Sequence, residues 1–213
     1  MIVMISIGID LAGLEKNKTG FCILRNRTAE TFIVHTDDEI VENVKKIKPD
    51  VVAVDAPLIY PPKIRKCDRT LKRYGAMPPT MKGMAVLSKR GFFLAKRLKD
   101  FNVIEVFPTG SAKILGIYSR DIEAMKNGLL NFGLVFENSI STKDEVDSII
   151  AAFTGSLWLQ GRTENVGDEK GIVVVPKPEE KQGENLKKRN KDTKPFILNK
   201  HFHNPCSVQN ANH

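Results

Sequence analysis

A chain of 213 residues with 41% hydrophobic and 27% charged residues has a soluble globular composition and is long enough to bury a core as one domain. No run approaches the roughly 18 apolar residues of a membrane helix, and three scattered cysteines, Cys22, Cys67 and Cys206, do not make a disulfide framework. The net charge of +8 is uneven: residues 61–100 hold twelve Lys/Arg and two acids, a net +10, so the remainder is near −2. The apolar start lacks a basic leader and meets Asp10 too early for a signal peptide, so a cytoplasmic, reduced protein is expected. A basic segment on a near-neutral body points to a polyanion partner, most simply nucleic acid; the plainer alternative is a solvated helix face.

The first element is a strand over 2–10, with Val3, Ile5, Ile7 and Ile9 on one face and Met4, Ser6 and Gly8 between them. TGFCILR (19–25) and TFIVH (31–35) read as two more strands, and their short links predict an antiparallel meander. Thr36 and Asp37 offer an N-cap to DDEIVENVKKIK, in which Ile40, Val41, Val44 and Ile47 recur at helical spacing; Pro49 ends it. VVAVD (51–55) is a short apolar strand of the doubly buried kind. A right-handed crossover then returns this fourth strand parallel to the first, so Asp10 and Asp55 end neighbouring strands on the same side.

IRKCDRTLKRYG predicts a helix with Ile64, Cys67, Leu71 and Tyr74 on its apolar face. A second helix is expected over 84–99 with Val86, Leu87, Phe93, Leu94 and Leu98 inward, then a fifth strand, NVIEVFP (102–108), holding Glu105. A helical region from Ser111 to about Phe132 breaks near Gly116. STKDEVDSIIAAFTGSLWLQG is the clearest helix: Thr142 and Glu145 form a capping box, and Val146, Ile149, Ile150, Phe153 and Leu157 its stripe. GIVVVP (171–176) reads as a late strand. From Lys177 the chain is polar and aperiodic, a tail expected to be flexible.

The acids carry the chemistry. Asp10 and Asp55 close adjacent parallel strands, where open α/β sheets place their binding crevices; Asp144 and Asp147, three apart, share a helix face. Crowded carboxylates repel unless a cation intervenes, and oxygen ligands of this kind suit Mg²⁺ or Mn²⁺. Two such ions about 4 Å apart are the apparatus of phosphodiester hydrolysis. Plainer readings exist for each: Asp10 and Asp55 can start turns, Asp144 can complement the helix dipole, and Glu105 can face solvent.

GIDLAG followed by TGF, VDAPL, RKCDRTLKRYG, EVFPTGSAKILG and KDEVDSIIAAF resemble, in order and spacing over roughly residues 5–176, the ribonuclease H-like superfamily. Within it they resemble an uncharacterised group of predicted nucleases. The resemblance implies a mixed five-stranded sheet, its first three strands antiparallel and the rest parallel, flanked by helices. It implies that Asp10, Asp55, and Asp144 with Asp147 bind catalytic divalent metal, and that Glu105 belongs to the catalytic set. Arg65 and Asp68 match the group's Arg and Asp after the fourth strand, and Thr19 and Gly20 stand as site-supporting residues. Val stands in GDEKGIVVVP where the group leads one to expect an aromatic residue, and 177–213 has no counterpart.

DLAGLEKNKTG also resembles the phosphate-binding hairpin of the actin and sugar-kinase superfamily, which normally needs two such domains; this chain has room for one. His201, His203, His213 and Cys206 form a terminal cluster without a second Cys/His pair, weak as a zinc site. The expectation is therefore a ribonuclease H-like domain over 1–176, with a basic helical insertion at about 61–100, followed by the 177–213 tail. It would hydrolyse nucleic acid with Mg²⁺ or Mn²⁺, with Arg65, Arg69, Lys72, Arg73, Lys89 and Arg90 gripping phosphates. The alternatives are a catalytically silent nucleic-acid-binding or regulatory protein on the same fold and, more distantly, an ATP-binding kinase-like protein. Exo- and endonucleolytic cleavage, DNA, RNA, hybrid and branched substrates, and any oligomeric state are all compatible with this reading.

Overall fold

The computed structural model describes residues 3–178. The terminal histidines, Cys206 and all but the first two residues of the 177–213 segment lie outside the described residues. Strands β1 (Ile5–Asp10), β2 (Thr19–Arg25) and β3 (Thr28–Val34) form the expected antiparallel meander. Helix α1 (Asp37–Ile47) is capped by Thr36, whose hydroxyl accepts the Glu39 N–H while the Glu39 carboxylate accepts the Thr36 N–H. The chain then returns as β4 (Val51–Val54), parallel to β1.

The basic segment is more broken than its periodicity suggests. It folds as α2 (Lys66–Leu71), a 3₁₀ turn over Lys72–Tyr74, and α3 (Lys82–Arg97). Ile64 precedes α2 and is exposed instead of packing on its face. In α3 the buried stripe runs through Ser88, Gly91 and Leu94, with Leu98 just beyond, while Val86 and Phe93 stay exposed. Gly91 sets this rotation. A Cβ there would stand 2.8 Å from the Ala56 Cβ, so the helix approaches the loop after β4 along its glycine.

β5 (Val103–Glu105) joins β4 in parallel, followed by α4 (Pro108–Ile114), α5 (Ile122–Asn131) and a two-residue strand, β6 (Val135–Phe136), parallel to β3. Among the described residues the sheet thus has six strands in the order β5-β4-β1-β2-β3-β6, one more than expected. Helix α6 (Lys143–Leu159) has the predicted Thr142/Glu145 capping box. The late strand β8 (Gly171–Pro176) pairs antiparallel with β7 (Thr163–Asp168), and Val174 bridges to Val106. One face of the sheet packs Ile7, Ile9, Phe21, Val52 and Val54 on α1 and α3; the other packs Cys22, Leu24 and Ala53 on α6, with α4 and α5 outside it. The sense and order of the strands are those of a ribonuclease H-like sheet. Cys22 and Cys67 are free and buried as small core residues.

Candidate functional site

Strand alternation decides which acids meet. Ile7 and Ile9 enter the α1/α3 core, so Ser6, Gly8 and Asp10 face α6. β4 repeats the pattern: Val52 and Val54 point to α1/α3, leaving Val51, Ala53 and Asp55 for the α6 side. Ile9 stands opposite Val54, and the Asp55 N–H donates to the Ile9 carbonyl at 2.8 Å, so Asp10 and Asp55 close the two strands side by side.

Small residues let α6 descend onto this surface. A Cβ on Gly8 would lie 2.0 Å from the Ser148 carbonyl oxygen and 2.3 Å from the Ala152 nitrogen. Gly20, the partner of Asp10 across β1 and β2, would place one 2.1 Å from the Asp144 carbonyl oxygen. On the helix, Gly155 would put one 2.4 Å from the Ser6 hydroxyl. No side chain larger than hydrogen fits at these crossings, and the close approach delivers the first turn of α6 to Asp10.

The resulting cluster is short of positive charge. Burial first, then the neighbouring Asp147 and Asp144, push Asp10 up to about 7, against the pull of Lys143. Burial and the charges of Asp10 and Asp147 raise Asp55 well above the usual carboxylate range. Asp147 is raised by burial and Asp144, against an ion pair from its Oδ2 to the Lys143 ammonium. Its other oxygen, Oδ1, is buried with no hydrogen-bond partner among the described residues. The Lys143 side chain is 58% exposed while that of Asp147 is 9% exposed, so the cation reaches in from solvent to a carboxylate fixed in the fold. Burial disfavours its charge, but Asp147, Asp10 and Asp55 together hold it protonated above the usual lysine range.

Among the described residues no three His, Cys, Asp or Glu side chains form a closed ligand cage. The donors nevertheless suit a hard divalent cation in kind: they are all carboxylate oxygens, one buried oxygen is orphaned, and their mutual repulsion is what a cation would relieve. Outside them lies an open cleft lined by Asp10, Asp144 and the β1–β2 loop, with exposed Lys16 and Lys18 on its rim. The Thr19 hydroxyl accepts the Ala12 N–H at 3.1 Å and so ties that loop to the start of β2.

Glu105 stands apart from Asp10, Asp144 and Asp147, although its charge also raises Asp55, with which it borders one cavity. It is in register with Val54, not with Asp55, and so belongs to the opposite face of the sheet. There Arg65 Nη1 and Nη2 donate to its two oxygens at 2.7 and 2.6 Å, and Leu58 N–H donates at 2.9 Å. Asp68 takes Nε at 3.1 Å, Nη2 at 2.8 Å and the Arg65 backbone N–H at 2.7 Å. Although burial disfavours its charge, these bonds hold the Arg65 guanidinium firmly protonated.

Two members of the expected phosphate-gripping set are therefore inside the fold. Arg65 is 3% exposed and engaged with Glu105 and Asp68. Arg90 is also buried, with Nε on Asp37 at 2.8 Å and its terminal nitrogens on the carbonyls of Ala12 and His35, both at 2.7 Å. It fastens α3 to α1 and to the loop that follows Asp10. Arg69, Lys72, Arg73 and Lys89 are exposed. Sequence reasoning passed over Lys143, Lys16 and Lys18. For Lys143 the signal was present: it stands four residues before Asp147 on one helix face.

A helix-flanked mixed sheet with an acidic cluster at the strand ends is thus the class that fold and site define. The model of the family described as "Protein of unknown function (DUF429)" matches residues 8–171, and the chain belongs to that family. No curated protein matches it. Two solved structures are similar in backbone course. Thermus thermophilus RuvC in complex with Holliday junction substrate is 14% identical, with a TM-score of 0.46 over 74% of this chain and 96% of that one. The Thermus thermophilus RuvC structure is 13% identical, with a TM-score of 0.47 over the same shares.

Proposed function

We propose that this protein is a divalent-cation-dependent nuclease that hydrolyses phosphodiester bonds of nucleic acid. The observation that carries the reading is the convergence of Asp10, Asp55, Asp144 and Asp147 at one sheet edge, with an orphaned oxygen on Asp147. Asp10, Asp55 and Asp147 would hold Mg²⁺ or Mn²⁺, with Asp144 on the solvent side. The cation would supply Lewis-acid polarisation of the phosphate and acidity to a nearby water. The chain's own part is positional. The Gly8, Gly20 and Gly155 crossings fix the carboxylates, and Lys16, Lys18 and Lys143 bring positive charge to the cleft where a phosphate would lie. Arg69, Lys72, Arg73 and Lys89 extend that charge over the neighbouring surface, which predicts affinity that falls steeply with salt. Among the described residues no helix is long and apolar enough to cross a membrane.

The test pairs binding with chemistry. Mn²⁺ should raise the melting temperature of the wild type and not of Asp10→Asn, and the same substitution should abolish Mn²⁺-dependent cleavage across a panel of single-stranded, duplex, hybrid and branched nucleic acids. Unchanged cleavage in Asp10→Asn overturns the assignment. A second reading, a nucleic-acid-binding protein without catalysis, is favoured by one feature: Lys143 already neutralises Asp147 from within the chain. Salt-sensitive binding with no response to Mn²⁺ would select it.

A further inference from the structure

Asp55 has a second neighbourhood. It lines a cavity of about 280 Å³ that shares no residue with the open cleft and whose walls are largely apolar: Met77, Met84, Leu87 and Phe107. Asp68 and Glu105 also border it, but their charge is answered by Arg65. Thr109 also lines it, and its hydroxyl makes no hydrogen bond among the described residues. Asp55 thus borders this chamber, while Asp10 beside it borders the charged cleft.

We propose that this chamber receives one unstacked nucleobase of the substrate, so that the enzyme acts at a nucleotide that is unpaired or readily extruded. The inference rests on the nuclease reading above and names its substrate class. The volume falls just under the roughly 300–1,000 Å³ of sites for drug-sized ligands, which is room enough for one ring system. Thioether and phenyl walls suit the faces of a planar heterocycle. The free Thr109 hydroxyl can donate to or accept from a base edge. The chain around the chamber is basic: Lys72 and Arg73 stand three and two residues before Gly75 of the Gly75–Met77 wall, and Lys82 two residues before Met84, all three exposed. A ligand that combines a flat apolar ring with negative charge is a nucleotide. An apolar side chain of a protein partner would use the walls but leave this charge unanswered. Extruding a base forfeits its pairing and stacking, a loss smallest where the base is already unpaired, so single-stranded stretches and junctions are favoured over regular duplex.

The experiment scans 2-aminopurine through a short single strand, with Ca²⁺ replacing Mn²⁺ to keep the strand intact. At one position emission should rise roughly threefold on binding as the base leaves its stack. Met84→Trp, which fills the chamber, should remove that rise and weaken binding about tenfold, as expected for one lost stacking contact. Thr109→Val should lower the rise with circular dichroism unchanged, which keeps the test decisive if Met84→Trp folds poorly. Binding with no emission change at any position, or a rise that survives both substitutions, overturns the proposal. The nuclease reading is judged separately, because Met84→Trp should retain stabilisation by Mn²⁺ while Asp10→Asn loses it.

Discussion

Asp10 and Glu105 end strands that flank β4 on either side, and both lie largely out of water, but their surroundings differ in one respect. Glu105 meets a guanidinium that serves both its oxygens and is itself shared with Asp68, so every charge is answered at hydrogen-bond distance. Asp10, Asp55 and Asp147 share one lysine that reaches in from solvent, and one buried oxygen is left bare. A closed network of charge fixes structure; an open one keeps affinity for a cation in reserve. The largest effect should therefore come from opening the closed network. Arg65→Met leaves Glu105 and Asp68 buried without their cation and should cost about 3–5 kcal/mol in urea unfolding. A loss below about 1 kcal/mol would mean that the two acid groups are not distinguished by compensation at all.

The second contrast is between glycines. Gly20 lies under the Asp144 carbonyl, whereas Gly83, in the first turn of α3, would offer a Cβ open space. Gly20→Ala should cost about 1–3 kcal/mol through overpacking and also blunt stabilisation by Mn²⁺, because it pushes the first turn of α6 off the sheet. Gly83→Ala should be neutral or stabilising by a few tenths of a kcal/mol and leave the Mn²⁺ response intact. Chemical denaturation with and without Mn²⁺ reads both. Equal behaviour of the two would remove the close crossing as the device that assembles the site.

What the sequence disclosed follows the same division. Asp10 and Asp55 were legible because each closes an apolar strand and the crossover brings the strands together. The N-cap at Thr36 and the capping box at Thr142 were legible because their signals lie within four residues. Glu105 looked like a further member of the acidic set because its face depends on register with β4, which no local pattern carries. Arg65 and Arg90 were read as surface cations because composition cannot show that a guanidinium is enclosed by distant partners, Glu105 forty residues on and Asp37 fifty-three residues back. On α3, Leu87, Leu94 and Leu98 pack inward as expected, but Val86 and Phe93 were misplaced because the buried stripe also runs through Ser88, Arg90 and Gly91, residues that hydrophobic periodicity does not count. β7, reading TENVGD, has one apolar side chain and gains its strand from pairing with β8.

The smallest predicted effect tests the open network through pH. Asp10 lies near 7 in the folded chain against an ordinary value of 3.8, so between these limits the folded state holds a proton that the unfolded chain has released. Stability must then fall as pH rises through this window, the reverse of the behaviour of an ion-paired carboxylate. Asp10→Asn removes the titrating group and its repulsion of Asp55 and Asp147. In chelator the variant should gain on the wild type from about pH 4 upward, reach an advantage of roughly 2–4 °C in Tm above pH 7, the shift given by about 1 kcal/mol in a domain of this size, and hold it thereafter. Added Mn²⁺ should erase or reverse that advantage, because a cation converts the repulsion of the ionised acids into ligation. The Arg65 network supplies the control: burial raises Glu105 too, against the pull of Arg65, so Glu105→Gln should lose stability where that carboxylate is ionised and lose least at the acid end.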